Sequence, residues 1–317
     1  MKLASVLTPL SEYNLTLAAQ TGVDEIVGRY PGPDLSLLDE AQARIESFGM
    51  RVGVVEGYLP IDNLKLGRDD GTEMEQMKAL LRHLGGLDVP MVCYNFMAGT
   101  DWIRTSVDAP ERGGAKVTAF DIAELESARI PGREPFRAEL EPGARGDQLW
   151  VNLEAFLDEL LPVAEDAGVV LAMHPDDPPL ASLLGNDRIM HCVDGFERLV
   201  GLAPSPCNKV AFCQGSFAEM GVDIPAVIRR LGAHIAYVHF RDVIGTAERF
   251  TETWQDTGQT DMAEAMRAYR EIGFDGPMRP DHVPQMIGED DGEPGYTMLG
   301  RLFAFGYIRG LMHATEP

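Results

Sequence analysis

Four side chains of metal-ligand type close four apolar runs in the second half of the chain. His174 ends "VVLAMH" (169–174), Cys213 lies in "KVAFCQ" (209–214), His239 in "IAYVHF" (235–240), and Asp281 ends "GPMRPD" (276–281). Singly, each has a plainer explanation. A buried cysteine is usually inert packing, a strand-end histidine is often a satisfied core group, and an aspartate before a turn is often a cap. Their recurrence at the same place in four successive units points instead to a metal site. Two imidazoles, one thiolate and one carboxylate suit a first-row divalent ion such as Mn2+, Fe2+, Co2+, Ni2+ or Zn2+. Structural zinc sites use closely spaced cysteines. These ligands are far apart in sequence, which favours a catalytic site with open positions.

Other polar groups crowd the same strand ends. His282 follows Asp281 directly and is free to act as acid or base near the metal. Arg241 in "HFRDV" lies two residues after His239, on the same side of an extended chain. It would clamp a substrate carboxylate through a bidentate pair, or pair with Asp242 or another neighbouring acid. Asn95 in "CYNF" and Arg104 in "DWIRT" are further candidates for substrate contact. Cys93 lies inside a strand and reads as core. Asp176 and Asp177 read as shaping the turn after His174, with Pro178 and Pro179 stiffening it. His83, His191, His234 and His313 have no comparable company and read as structural.

These residues need a scaffold that gathers strand ends. Besides the four runs above, "KLASVL" (2–7), "EIVGRY" (25–30), "RVGVVEGY" (51–58) and "VPMVCYNF" (89–96) are rich in Val, Ile and aromatics. Each is nearly continuous in apolar residues, as expected for strands covered on both faces. Helical periodicity fills the gaps, most clearly in 149–168, where Leu153, Phe156, Leu160 and Val163 share a face and Gly168 is the stop. Residues 34–49 and 261–274 behave alike. Eight strand–helix units in 317 residues predict an α/β fold, a single-domain (β/α)8 barrel over 1–317. An open doubly wound sheet is the competing architecture, but the glycine-rich nucleotide signatures and the G-x-S-x-G elbow are missing. Residues 97–150, rich in Gly, Pro and charge, form a long insertion after strand four. It reads as a loop or helical excursion that either covers the C-terminal face of the barrel or lies on the surface.

Composition narrows the partners. There are 50 acidic against 27 basic residues, a formal net charge of −23, so nucleic acid is not expected as a partner. Four scattered cysteines suggest no disulfide framework. The first residues are too short an apolar run for a signal peptide, and none elsewhere approaches membrane-spanning length. A cytoplasmic protein with no membrane contact is expected.

Six collinear stretches resemble the mannonate dehydratases, of the xylose-isomerase-like group of TIM barrels. They are "CYNFMAGTDWIRT" (93–105), "LAMHPDDPP" (171–179), "CQGS" (213–216), "HFRDV" (239–243), "MRPDHVPQM" (278–286) and "PGYTMLGRLFAFGYIRGL" (294–311). The resemblance implies a catalytic Mn2+ on His174, Cys213, His239 and Asp281, with acid–base roles for His282 and Tyr296. It also implies dehydration of D-mannonate, or a closely related aldonate, to 2-keto-3-deoxy-D-gluconate. Such a small sugar-acid substrate would be handled by a homo-oligomer. The chain departs from the family pattern at Val283, where a glycine is usual, and at Gln259, where an acid is usual. The segment after strand four is also shorter. Alternatives on the same scaffold are a sugar isomerase or epimerase, and a retired sugar-acid-binding homologue.

Overall fold

The computed structural model describes residues 1–99, 101–131 and 143–316. Eight parallel strands close into a barrel in sequence order. They are β1 (Lys2–Ser5), β2 (Glu25–Gly28), β3 (Arg51–Glu56), β4 (Met91–Tyr94), β5 (Val170–Met173), β6 (Asn208–Cys213), β7 (Ile235–His239) and β8 (Pro277–Arg279). All eight expected runs are therefore strands, and the (β/α)8 architecture holds.

The barrel works by parity. Ala172, Ala211 and Tyr237 pack together in an inner cluster with Ala4, Val27, Val54 and Cys93. Their neighbours Leu171, Met173, Phe212 and Val238 join the outer strand–helix layer. Side chains alternate along a strand, so the residue two beyond each inner one also faces the axis. That rule turns Arg29, Glu56, Asn95, His174, Cys213 and His239 inward. Register then sets their height, with Cys213 opposite His239 and His239 opposite Arg279.

The helices behave as their periodicity predicts. Gly146–Ala167 buries Leu149, Leu153, Phe156, Leu157 and Leu160, and ends at Gly168 with φ 68°, the left-handed geometry glycine adopts freely. Ser36–Glu46 and Met262–Glu271 fill the other two expected helical stretches.

The insertion differs from expectation in its described part. It carries two antiparallel strands, Ser106–Pro110 and Lys116–Asp121, with short 3-10 turns, and its last residues begin the helix Gly146–Ala167. The two strands join the hairpin Val243–Thr246 and Arg249–Glu252, which follows β7, in a four-stranded sheet. A loop or helical excursion was expected because glycine and proline hid the short alternating runs, and the partner strand of Lys116–Asp121, Arg249–Glu252, lies more than a hundred residues away. Residues 100 and 132–142 of the insertion lie outside the described residues. A bridge between Lys116 and Gln285 also ties the insertion to the loop after β8.

Two adjacent glycines test the packing of Thr72–Gly86 on Gly146–Ala167. A Cβ on Gly85 would sit 2.6 Å from the backbone oxygen of Ala167, whereas one on Gly86 meets nothing within 4 Å. Gly85→Ala should lower unfolding free energy by about 1–3 kcal/mol. Gly86→Ala should leave it unchanged or raise it by up to about 1 kcal/mol. Denaturant titration of both variants checks the pair.

Candidate metal centre and active site

The four expected ligands meet at the C-terminal mouth of the barrel. His174 follows β5, Cys213 ends β6, His239 ends β7, and Asp281 lies two residues beyond β8. His174 Nε2 is 3.2 Å from His239 Nδ1. Asp281 Oδ2 lies 3.6 Å from His239 Nδ1 and 3.8 Å from Cys213 Sγ. Donor atoms of His174, Cys213 and His239 all lie within 4.8 Å of one another.

Local geometry prepares each donor. His174 Nδ1 is 2.7 Å from the Pro175 carbonyl oxygen, which holds the proton on that nitrogen and leaves Nε2 as the lone-pair donor. Burial raises the Cys213 thiol, but Arg241 and His174 outweigh it and hold it well below its ordinary value. Burial likewise opposes ionisation of Asp281, yet Arg279 and the flanking histidines hold it well below the usual carboxylate range. Asp281 has φ 59°, in the left-handed region that few side chains other than Asn and Asp enter readily. His239 turns Nδ1 toward His174 and Asp281, while its Nε2 lies 3.6 Å from Glu56 Oε2. Facing imidazole nitrogens, a thiolate and a carboxylate fit a divalent cation, which would relieve their mutual repulsion.

A second group, Glu56, Cys93 and His239, meets the same distance criterion. It is the poorer cation site. Glu56 pairs with Arg279 at 2.8 Å, as Asp281 does, and accepts from Tyr237 Oη at 3.0 Å, so the difference between the groups lies in the thiol. Burial and Glu56 together push the Cys93 thiol up to about 12, so it keeps its proton. Cys93 is buried core, as its mid-strand position suggested, but it also lines the cavity.

His282 and Tyr296 stand beside these four donors. His282 Nδ1 is 2.9 Å from Glu252 Oε1, and its ring stacks on Trp102 with centroids 4.3 Å apart. The Tyr296 ring centroid is 5.3 Å from that of His282. Burial and Asp281 raise the Tyr296 phenol above its ordinary value, against the opposing pull of Arg279 and Arg29. The two arginines lower it, but burial and Asp281 outweigh them.

Arg241 and Arg104 are not where a substrate would meet them. Both are fully buried and neither lines the cavity. Arg241 reaches Asp281 at 2.9 Å, Asp177 at 2.9 Å, Glu219 at 3.1 Å and Glu252 at 3.1 Å. Arg104 pairs with Asp177 and Glu252, both at 2.6 Å. The carboxylates an arginine clamp would seek are supplied by the chain itself. Asp177 is thus an anchor for two guanidiniums rather than a turn-shaping residue. Asp176 keeps the turn role, accepting from Met190 N at 2.7 Å. Asn95 does line the cavity, and its Oδ1 accepts from Lys65 Nζ at 3.1 Å.

The cavity adds Arg29, Glu56, Lys65, Trp102 and Arg279, none of which the strand-end reading singled out. Three of them had a usable signal. Glu56 and Arg279 end β3 and β8, and Arg29 follows β2 directly, so inward parity would have found them. Glu252 had none, because it reaches His282 only through the accessory sheet.

The model of a family described as D-mannonate dehydratase (UxuA) matches residues 12–317. A mannonate dehydratase of Endomicrobium trichonymphae is 32% identical over 307 residues, covering 88% of this chain and 84% of that protein. One from Thermotoga maritima is 32% identical over 336 residues, with 93% and 91% covered. The crystal structure of mannonate dehydratase from Streptococcus suis serotype 2 superimposes with a TM-score of 0.90 at 30% identity, covering 99% of this chain and 95% of that one. An L-ribulose 3-epimerase structure, at 16% identity and TM-score 0.62, shares the fold alone. The match over nearly the whole chain and the relatives above 30% identity place it plainly: the chain belongs to the D-mannonate dehydratase family.

Proposed function

We propose that the chain is a metal-dependent hydro-lyase that converts D-mannonate to 2-keto-3-deoxy-D-gluconate and water. The observation that carries this reading is the convergence of four metal-type donors, of which His174 and Asp281 line a cavity together with His282 and Tyr296. His174, Cys213, His239 and Asp281 would hold one divalent ion, with Mn2+ the choice the family favours. When bound, the ion would act as a Lewis acid for charge that develops on the substrate carboxylate side.

The chain's own residues supply the proton transfers. His282 donates its Nδ1 proton toward Glu252, which leaves Nε2 as the acceptor on the cavity side. His282 Nε2 takes the proton from C2. Tyr296 keeps its proton at neutral pH because burial and Asp281 hold the phenol up. It is therefore the donor to the 3-hydroxyl as the C3–O bond breaks. Water leaves, and the remaining enol tautomerises to the 2-keto acid. Trp102 covers the His282 ring and limits access of bulk water from that side. A small sugar acid is the partner, and assembly as a homo-oligomer in the cytoplasm is part of the same proposal. No described helix is long and apolar enough to cross a membrane.

Metal loading should depend on the assigned donors. Purified chain dialysed against Mn2+ should hold about one ion by elemental analysis. Cys213→Ser and Asp281→Asn should each weaken binding by at least about tenfold. Affinity should also fall toward acid pH, because these ligands bind deprotonated. Unchanged stoichiometry and affinity in both variants would rule out this ligand set.

The proton assignment has its own readout. His282→Asn and Tyr296→Phe should each lower kcat by about 10²–10⁴ with metal content retained. In D2O, Tyr296→Phe should still exchange the C2 hydrogen of mannonate with solvent, whereas His282→Asn should not. The reverse pattern would exchange the two roles. Turnover of a ketose by the loaded enzyme, with no water lost from any aldonate, would favour an isomerase.

A further inference from the structure

The expected carboxylate clamp, Arg241, is occupied by the chain's own acids, so the anion of the substrate needs another receiver. Among the described residues, three arginine or lysine side chains line the cavity: Arg29, Lys65 and Arg279. Arg279 is committed to Glu56 and Asp281, each at 2.8 Å. Lys65 is held by Asp62 at 3.2 Å and Asn95 at 3.1 Å. Arg29 differs from both. Its one hydrogen bond among the described residues runs to the backbone oxygen of Glu56 at 3.5 Å, the outer limit for such a bond, and it has no ion pair among them. Its guanidinium carbon instead lies 5.6 Å from the Tyr296 ring and 5.7 Å from the Tyr58 ring.

The backbone makes room for this placement. Gly57 has φ 81°, and a Cβ there would lie 2.8 Å from Arg29 Nη1. A guanidinium carries five N–H donors in a planar fork that matches a carboxylate bidentately. Desolvating such a group is costly, and although Glu56 lies near enough to favour the charge, no carboxylate among the described residues is in ion-pair contact with Arg29. A half-buried guanidinium with unused donors, set against the tyrosine that faces the reacting carbons, is therefore a built receiver for an anion.

We propose that Arg29 binds the carboxylate of the substrate and so makes the cavity select sugar acids over neutral sugars. This rests on the aldonate reading of the site. It places the acid end of the substrate beside Tyr296 and assigns the discrimination to the residue that follows β2.

Calorimetric titration of metal-loaded protein tests it without turnover, using D-gluconate as the acid probe and sorbitol as its neutral counterpart. Wild type should bind gluconate, and Arg29→Met should weaken that binding roughly 10–100-fold, the loss expected for a charge-assisted pair. Arg29→Lys, which keeps the charge but not the fork, should fall between them and also guards against a folding defect in the methionine variant. Sorbitol binding should be the same in all three proteins. Equal gluconate affinity in wild type and Arg29→Met would overturn the proposal. So would a parallel loss of sorbitol binding, or wild type that does not bind gluconate. If Arg29 governs gluconate binding but wild type dehydrates no aldonate, the assignment of Arg29 stands and the dehydratase reading falls.

Discussion

The site depends on one buried cluster of charge centred on Arg241. Its guanidinium bonds acids from three separate loops, namely Asp281 after β8, Asp177 after β5 and Glu252 on the accessory hairpin, and also Glu219. Arg104, from the insertion after β4, closes the cluster by joining Asp177 to Glu252. Ions taken out of water are costly unless every partner is present, and deleting one member of such a pair costs about 3–5 kcal/mol. The cluster therefore holds its loops in one arrangement. Burial and the neighbouring Asp177 keep the Glu219 carboxyl well above its usual range, which spares the cluster a further anion.

Both halves of the chemistry hang from this cluster. Arg241 and Arg279 grip the two oxygens of Asp281 and help aim a ligand whose backbone sits in the left-handed region. Glu252, held by both arginines, accepts from His282 and thereby sets which ring nitrogen faces the cavity. Asp281, proposed as a metal ligand, and His282, proposed as the proton acceptor, are thus oriented by the same buried ions. Gly215 belongs to this design, since a Cβ there would meet Arg241 Nη1. The insertion is part of the site as well, because it supplies Arg104 to the cluster and Trp102 to the cavity wall.

The arrangement also separates two kinds of positive charge. Arg241 and Arg104 are buried, do not line the cavity, and serve the fold of the loops. Arg29 stands in the wall with donors to offer and serves the ligand. Residue type cannot distinguish these uses. What distinguishes them is whether acids of the chain reach the guanidinium first.

Much was legible in the sequence because a strand has a period of two and a parallel barrel repeats it eight times. The apolar runs marked the strands, and their ends marked His174, Cys213, His239 and Asp281 as neighbours in space. Adjacent strands in register can hardly place them elsewhere. The helix from Gly146 to Ala167 was equally readable from its apolar face and its glycine stop. The tertiary structure alone decided which charges meet. Arg104 and Glu252 are 148 residues apart, and no local pattern announces that they touch. Asp177 looked like turn chemistry and is an ion-pair anchor, whereas Arg241 looked like a substrate clamp and is buried. The physical reason is that strand periodicity is a local property of the backbone. Pairing between buried ions depends on loops that the barrel brings together only after it closes.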